Sequence, residues 1–125
     1  MQLLFFVGLG GFCGAVLRHL TGRAAVRWSG LEAHHATLLV NCLGCLVIGA
    51  LLTLVTEAER FSPAARHFWI VGLLGSFTTY STFGWEAFSL LRGEELLRGL
   101  LHIGLHLGLG LGMVALGVVL GRASL

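Results

Sequence analysis

The chain has 125 residues, of which 56% are hydrophobic and only 11% are charged, with a net charge of +2. A soluble domain carries about a quarter charged residues, so this composition excludes an ordinary soluble protein and indicates a single integral membrane domain. All the basic residues are arginines placed singly between apolar runs. That pattern is typical of helix ends at lipid headgroups and not of a surface that binds nucleic acid.

The first apolar run extends from Leu3 to Leu20 and ends in Arg18 and His19. It is long enough to cross a membrane, because a hydrocarbon core of about 30 Å needs roughly 20 helical residues. The run lacks the basic start of a signal peptide, so we predict a retained membrane helix. Arg18 either reaches out to the headgroups or forms a positively charged vestibule that attracts anions.

The second apolar run, from Ala36 to Val55, contains Asn41, the only asparagine of the chain. An amide in lipid needs a partner, so Asn41 is either a contact between helices or a hydrogen-bond donor to a passing anion. Cys42 and Cys45 lie in the same run without a second pair, which favours inert packing over redox or metal chemistry.

The third span, over residues 67–91, is interrupted. Ser62 is a plausible N-cap, with Pro63 at the first helical position. The apolar segments "FWIVGLLG" and "WEAFSLL" are each too short to cross a membrane, but together they suffice. The polar residues between them are therefore expected near the middle of the membrane.

Six hydroxyl side chains form this polar interruption: Ser76, Thr78, Thr79, Tyr80, Ser81 and Thr82. An unpaired buried hydroxyl costs about 1–3 kcal/mol, so six facing lipid would cost about 6–18 kcal/mol. They could bond back to their own helix. For so dense a run we favour a cavity, since membrane proteins place broken helices where backbone groups face water, protein or ions. Glu86, just beyond, is a functional candidate because an intramembrane carboxylate is costly.

The fourth apolar run, from Leu96 to Gly121, carries His102 and His106 four residues apart. This spacing can hold a metal, but no acidic or cysteine partner accompanies it, so a polar lining or an interhelical bond is favoured. Glycines at four-residue spacing predict close helix packing at three places: Gly10/Gly14, Gly104/Gly108/Gly112 and Gly117/Gly121.

Arginines are distributed almost evenly on the two sides of a chain with four crossings. One side carries Arg18, Arg23, Arg27, Arg92 and Arg98, and the other carries Arg60, Arg66 and Arg122. The positive-inside rule needs a clearer excess, so the chain is expected to insert in both orientations and to pair as two opposed copies. No enzyme motif is present. Hydroxyls, an amide, an arginine and electropositive ring edges together suit an anion.

Three ordered motifs, "GGFCGAVLRHL", "ATLLVNCLGCLVIG" and "GLLGSFTTYSTFGWE", resemble those of the small fluoride channels called Fluc or CrcB, over essentially the whole chain. The resemblance implies an all-α membrane protein of four transmembrane helices, the third broken at mid-membrane, that forms an antiparallel dual-topology homodimer. It implies passive fluoride export across the plasma (inner) membrane, which lowers cellular fluoride and its toxicity.

The resemblance also implies roles for individual residues. A structural, non-transported Na⁺ would be held by the backbone carbonyls of Gly75 and Thr78 from both subunits. The fluoride pathway would be lined by Asn41, Tyr80, Phe83, Ser81, Thr82, Glu86 and His106, with Arg18 in a vestibule.

Two residues depart from the family pattern, in which Phe is usual at Tyr80 and Ser at Gly84. The first departure puts the aromatic contribution of Tyr80 in question, and the second removes one possible donor. The competing function is a small four-helix proton-coupled drug or cation exporter. That class would require a glutamate in the first span, which has none. A structural membrane subunit without transport is a third possibility, which the hydroxyl run disfavours.

Overall fold

The computed structural model describes residues 1–30, 32–57, 61–93 and 95–125, which form helices and no strand within those ranges. Arg60, counted in the charge argument, lies outside the described residues. In chain order the helices are α1 (Gln2–Ser29), α2 (Ala33–Glu57), α3 (63–77), α4 (Tyr80–Arg92) and α5 (Leu96–Ala123). The prediction of an all-α chain is therefore confirmed for the part that the structure describes.

Three segments are long and apolar enough to cross a membrane, judged by length and composition: Gln2–Trp28, Ala33–Glu57 and Leu96–Ala123. They include the first, second and fourth predicted spans. α1 continues well beyond Leu20 and ends only where Gly30 adopts a left-handed conformation with φ 63°. No glycine–proline signal stops the helix earlier, so Arg23 and Arg27 belong to α1 and not to a loop.

Helix α3 consists of an α-helical turn (Pro63–Arg66), a π-helical stretch (His67–Leu74) and a final turn (Gly75–Phe77). The predicted N-cap is confirmed, because the Ser62 hydroxyl accepts a hydrogen bond from the N–H of Ala65 at 3.2 Å. π-Helical geometry is rare and often lies at functional sites. Here it leads directly into the interruption between α3 and α4.

Glycines let two pairs of helices approach closely: α1 packs against α3, and α2 packs against α5. A Cβ at Gly14 would collide with the Leu73 carbonyl of α3, and one at Gly117 with the Leu46 carbonyl of α2. The predicted packing role is confirmed in this way for Gly10, Gly14, Gly117 and Gly121. Added Cβ atoms at Gly104, Gly108 and Gly112 would meet nothing within 4 Å in the described chain.

The single chain buries few apolar side chains. Its buried hydrophobic residues are mostly small: Ala25, Ala36, Val40, Val55, Leu74 and Ala87. Phe5, Trp28 and Leu111 are among many large apolar side chains that stay exposed. This inverted distribution is expected of a protein whose outer surface faces lipid or another copy and not water.

Substituting Gly14 by alanine should disrupt the α1–α3 contact. Its Cβ would press on the Leu73 backbone, which cannot rotate away as a side chain could. We expect a loss of about 1–3 kcal/mol in the free energy of unfolding, the usual cost of overpacking. Thermal unfolding in detergent, followed by helical circular dichroism, measures it.

Gly8→Ala is the matched control, since a Cβ at this position of the same helix meets nothing within 4 Å. Equal thermal stabilities of the two variants would contradict the packing role of Gly14.

Candidate functional site

The backbone between α3 and α4 is extended at two residues. Thr78 has φ −81° and ψ 158°, and Thr79 has φ −145° and ψ 112°. Helical geometry resumes at Tyr80, where the Thr79 hydroxyl acts as N-cap and accepts a hydrogen bond from the N–H of Thr82 at 3.3 Å. The hydroxyl-rich segment thus supplies the N-cap of α4.

Asn41 of α2 holds this extended segment from the side. Its Nδ2 donates to the carbonyl oxygen of Thr79 at 3.1 Å, and its Oδ1 accepts from the N–H of Thr79 at 2.8 Å. One side-chain amide therefore satisfies both backbone groups of a residue that neither helix can satisfy, as a buried interruption requires.

Two carbonyl oxygens lose their usual helical donors at the interruption. In an α-helix the carbonyl of a residue accepts from the N–H four residues later. The N–H of Thr79, which would serve Gly75, donates to Asn41, and the N–H of Thr82, which would serve Thr78, donates to the Thr79 hydroxyl. The carbonyls of Gly75 and Thr78 are thereby released from the helical pattern and can accept from another group or coordinate a cation.

Cavities lie on both sides of the interruption, and Thr79 lines each of them. The larger, of about 590 Å³, is also lined by Arg18, Arg23 and Arg27 of α1 and by Thr82. It is rich in positive charge.

The smaller cavity has a volume of about 360 Å³. Its lining includes most of the residues predicted for the site: Asn41, Gly75, Thr78, Tyr80, Phe83 and His106.

Aromatic rings form a stack beside the smaller cavity. The Phe83 and His106 ring centroids are 4.3 Å apart with an interplanar angle of 32°, and Phe83 lies 5.7 Å from Tyr80. Because His106 covers one face of Phe83, the ring edge, which carries the positive part of its quadrupole, is the part best able to meet an anion. Tyr80 is 83% exposed, so the described part of its own chain covers little of it.

Glu86 finds partners on two other helices. The Thr37 hydroxyl of α2 donates to its Oε1 at 2.6 Å, and Nε2 of His102 on α5 lies 3.5 Å from its Oε2. The sequence around His102 and His106 contains no acidic partner because that partner, Glu86, lies on α4. Thr37, four residues before Asn41 on the same face of α2, is a site residue that sequence reasoning missed.

Ser81 lies at the edge of this polar region, with its Oγ 3.5 Å from the Thr79 hydroxyl. Thr79 in turn donates to Thr82 at 2.9 Å. Thr78 does bond back to its own helix, through its hydroxyl to the Leu74 carbonyl at 3.1 Å. The hydroxyl run therefore fits both interpretations: Thr78 bonds back to its own helix, and Thr78, Thr79 and Thr82 line the cavities.

Comparison with known proteins identifies the family. The family described as "CrcB-like protein, Camphor Resistance (CrcB)" matches residues 5–118. The chain belongs to the CrcB family.

Relatives within the CrcB family match over nearly their whole length. A protein of Chloroflexus aurantiacus is 42% identical over 122 residues, which cover 98% of this chain and 97% of the relative. One of Hydrogenovibrio crunogenus is 39% identical over 119 residues (95% and 90%), and one of Aquifex aeolicus is 37% identical over 123 residues (98% and 99%). Each is named "Fluoride-specific ion channel FluC".

The relatives are channels and not enzymes, and CrcB membership, together with the apolar helices, makes this chain a membrane protein. Neither the family nor these relatives support the proton-coupled exporter considered as the alternative.

Removing the Asn41 side chain should destabilise the interruption. Asn41→Ala would leave both backbone groups of Thr79 without a partner, at about 1–3 kcal/mol for each unsatisfied group. We expect a loss of about 2–6 kcal/mol in the free energy of unfolding, measured in detergent.

Thr56→Ala serves as the control, because the exposed Thr56 hydroxyl bonds only to its own helix, at Leu52 and Thr53. If Asn41→Ala unfolds no more readily than Thr56→Ala, the amide does not hold the segment.

Proposed function

We propose that this CrcB-family protein is a fluoride-specific ion channel that lets fluoride leave the cytoplasm passively and so lowers its toxicity. The observation that carries the proposal is the match over nearly the full chain to relatives that bear that name, the Chloroflexus protein foremost. The site is consistent with it. Hydroxyls, an amide and ring edges surround small cavities at an interrupted helix, and passive flow needs no catalytic nucleophile.

The proposed pathway follows the two cavities that meet at Thr79. Fluoride enters from the vestibule near Arg18, where positive charge concentrates anions. It then passes the hydroxyls of Ser81 and Thr82 and the rings of Tyr80 and Phe83. Glu86 and His106 adjoin the path, close to Thr37 and His102. Fluoride is a small ion that holds its water tightly, so hydrogen-bond donors on several sides of the pathway must replace that water.

Asn41 can also donate a hydrogen bond to an anion. A primary amide carries two N–H groups, and one of them donates to the Thr79 carbonyl. The other remains available to a passing fluoride. We therefore assign Asn41 to both the scaffold and the pathway, and Asn41→Asp is expected to stop flux because a carboxylate would lose that donor and repel the anion.

The working unit of this proposal is an antiparallel homodimer in the plasma membrane. Many large apolar side chains lie exposed on the single chain, and Tyr80, beside the interruption, is 83% exposed. The weak arginine bias supports insertion in both orientations. A second, inverted copy would cover part of this surface and bring two interruptions together.

A structural Na⁺ fits the released carbonyls. Gly75 and Thr78 each offer a backbone oxygen without its usual helical donor. Unwound carbonyls of broken membrane helices are typical Na⁺ ligands, and a neutral oxygen set does not suit zinc. Two chains would supply four such oxygens. Rigorous removal of Na⁺ from liposomes that contain the protein should abolish fluoride flux, and full flux without Na⁺ would contradict this assignment.

Reconstitution into liposomes tests the function directly. Vesicles loaded with fluoride should release it down its gradient when no proton gradient is present, as recorded with a fluoride-selective electrode. A coupled exporter would require the proton gradient, and a structural subunit would release nothing. Protein-free vesicles give the background leak.

The ring edge of Phe83 should be essential. Phe83→Ile keeps apolar bulk but removes the quadrupole, so we expect fluoride efflux to fall to background while the protein stays folded. Phe88→Ile, which alters an exposed ring of the same helix, should leave efflux unchanged. Normal conduction by Phe83→Ile would mean that ring edges are not ligands.

Tyr80→Phe is a milder change at the same stack. A phenol keeps most of the ring edge, so removing its hydroxyl should alter the efflux rate by no more than roughly tenfold, a barrier change of about 1.4 kcal/mol. Tyr80→Ile should transport more slowly than Tyr80→Phe. The reverse order at matched reconstitution would rule out a role for this ring.

A further inference from the structure

A cluster of metal-ligating side chains lies at the start of α2, away from the interruption. Glu32, His34 and His35 each offer one ligand atom, and these atoms all lie within 4.8 Å of one another. Nδ1 of His34 is 3.4 Å from Oε2 of Glu32, and the two imidazole rings have centroids 4.1 Å apart.

The backbone of this cluster is ordered by the first turn of α2. The Glu32 carbonyl accepts from the N–H of His35 at 3.0 Å and from that of Ala36 at 3.3 Å. Glu32 and His35 are exposed, so their side chains can turn. A tetrahedral zinc ion holds its ligands about 3.3 Å apart, a spacing that these side chains can reach by small rotations.

A second observation points into the same place. A cavity of about 220 Å³ is lined by the three cluster residues and, from α5, by His102. His102 is only 5% exposed, and its Nε2, which lies 3.5 Å from Oε2 of Glu86, makes no hydrogen bond in the described chain. Its ring centroid lies 5.7 Å from that of His34. A buried imidazole that makes no hydrogen bond through its Nε2 thus lies beside the three cluster residues.

The charges around the cavity permit a cation. The N-terminus of α2 carries partial positive charge, which opposes a metal ion, but the Glu32 carboxylate offsets it. Arg98 also lines the cavity, and Glu95 neutralises it through an ion pair of 2.7 Å. Imidazole nitrogens with one carboxylate suit Zn²⁺, Ni²⁺ or Cu²⁺ and do not suit Mg²⁺ or Ca²⁺.

We propose that Glu32, His34 and His35 form a binding site for a divalent transition metal ion of the Zn²⁺ class, at the mouth of the cavity that contains His102. The open fourth position of the ion would face the cavity and take water or the His102 imidazole. This site is separate from the backbone carbonyls proposed for Na⁺, and its existence does not depend on fluoride conduction.

Binding of Zn²⁺ to purified full-length protein without a polyhistidine tag tests the proposal. Competition with a chromogenic chelator should reveal one Zn²⁺ per chain, unaffected by excess Mg²⁺. Binding should also raise the temperature of thermal unfolding, since a ligand that prefers the folded state stabilises it. Absence of stoichiometric binding would overturn the site.

Variants separate this site from other histidines. His34→Ala/His35→Ala should weaken Zn²⁺ binding at least tenfold, and Glu32→Gln, which changes charge with little change in shape, should weaken it several-fold. The control His19→Ala/His67→Ala removes two histidines from other helices and should bind as wild type does. Equal affinities in the two double variants would refute the assignment. Gel filtration and helical circular dichroism verify that each variant is folded, and Glu32→Gln still tests the site if the double variant fails to fold.

Discussion

The pairing of the Asn41 side chain with the backbone of Thr79 is the interaction on which the site depends. A break in a membrane helix exposes N–H and C=O groups where no water can satisfy them. From the neighbouring helix α2, Asn41 accepts a hydrogen bond from the N–H of Thr79 at 2.8 Å and donates one to its carbonyl oxygen at 3.1 Å. Because Asn41 accepts from the N–H of Thr79, the Gly75 carbonyl loses its usual helical donor. The amide that stabilises the break therefore also exposes a backbone oxygen beside it.

Close helix contact supports this pairing. α2 reaches the interruption with a glycine, Gly44, against the methyl group of Thr78, where a Cβ would collide. α1 and α3 meet through Gly10, Gly14 and Gly72. Small residues thus bring backbones to the distance at which a short amide side chain can bridge them, as is common in membranes, where packing replaces the hydrophobic drive between helices.

Much of this could be predicted from the sequence, because lipid imposes strict rules. The lengths of the apolar runs predict the helices, and Ser62 with Pro63 predicts the start of α3. The density of hydroxyl side chains predicts where the chain between α3 and α4 is interrupted. The partners across helices could not be read in the same way. That Thr37 would meet Glu86 across 49 positions, and that His102 would lie beside the same carboxylate, depends on how helices rotate against one another. The periodicity of apolar residues within one helix does not tell how that helix is rotated against its neighbours.

The extent of α1 was underestimated for a different reason. Arginines at 23 and 27 look like loop residues when apolar runs alone define a helix. Charged residues continue a helix without difficulty once it leaves the hydrocarbon, and only the left-handed Gly30 ends it. The arginines of the larger cavity are therefore positioned on a rigid helix.

The π-helical stretch His67–Leu74 has a consequence for how α4 is oriented after the interruption. Its i→i+5 hydrogen bonds take more residues into each turn than the i→i+4 bonds of an α-helix, so the same residues wound as a regular α-helix would turn everything after them to a different angle about the helix axis. Thr78 and Thr79 would then swing away from Asn41, even if every side chain in the stretch were kept. The winding of the backbone between Pro63 and Thr79, and not the side chains of that stretch alone, therefore brings the extended residue to the Asn41 amide.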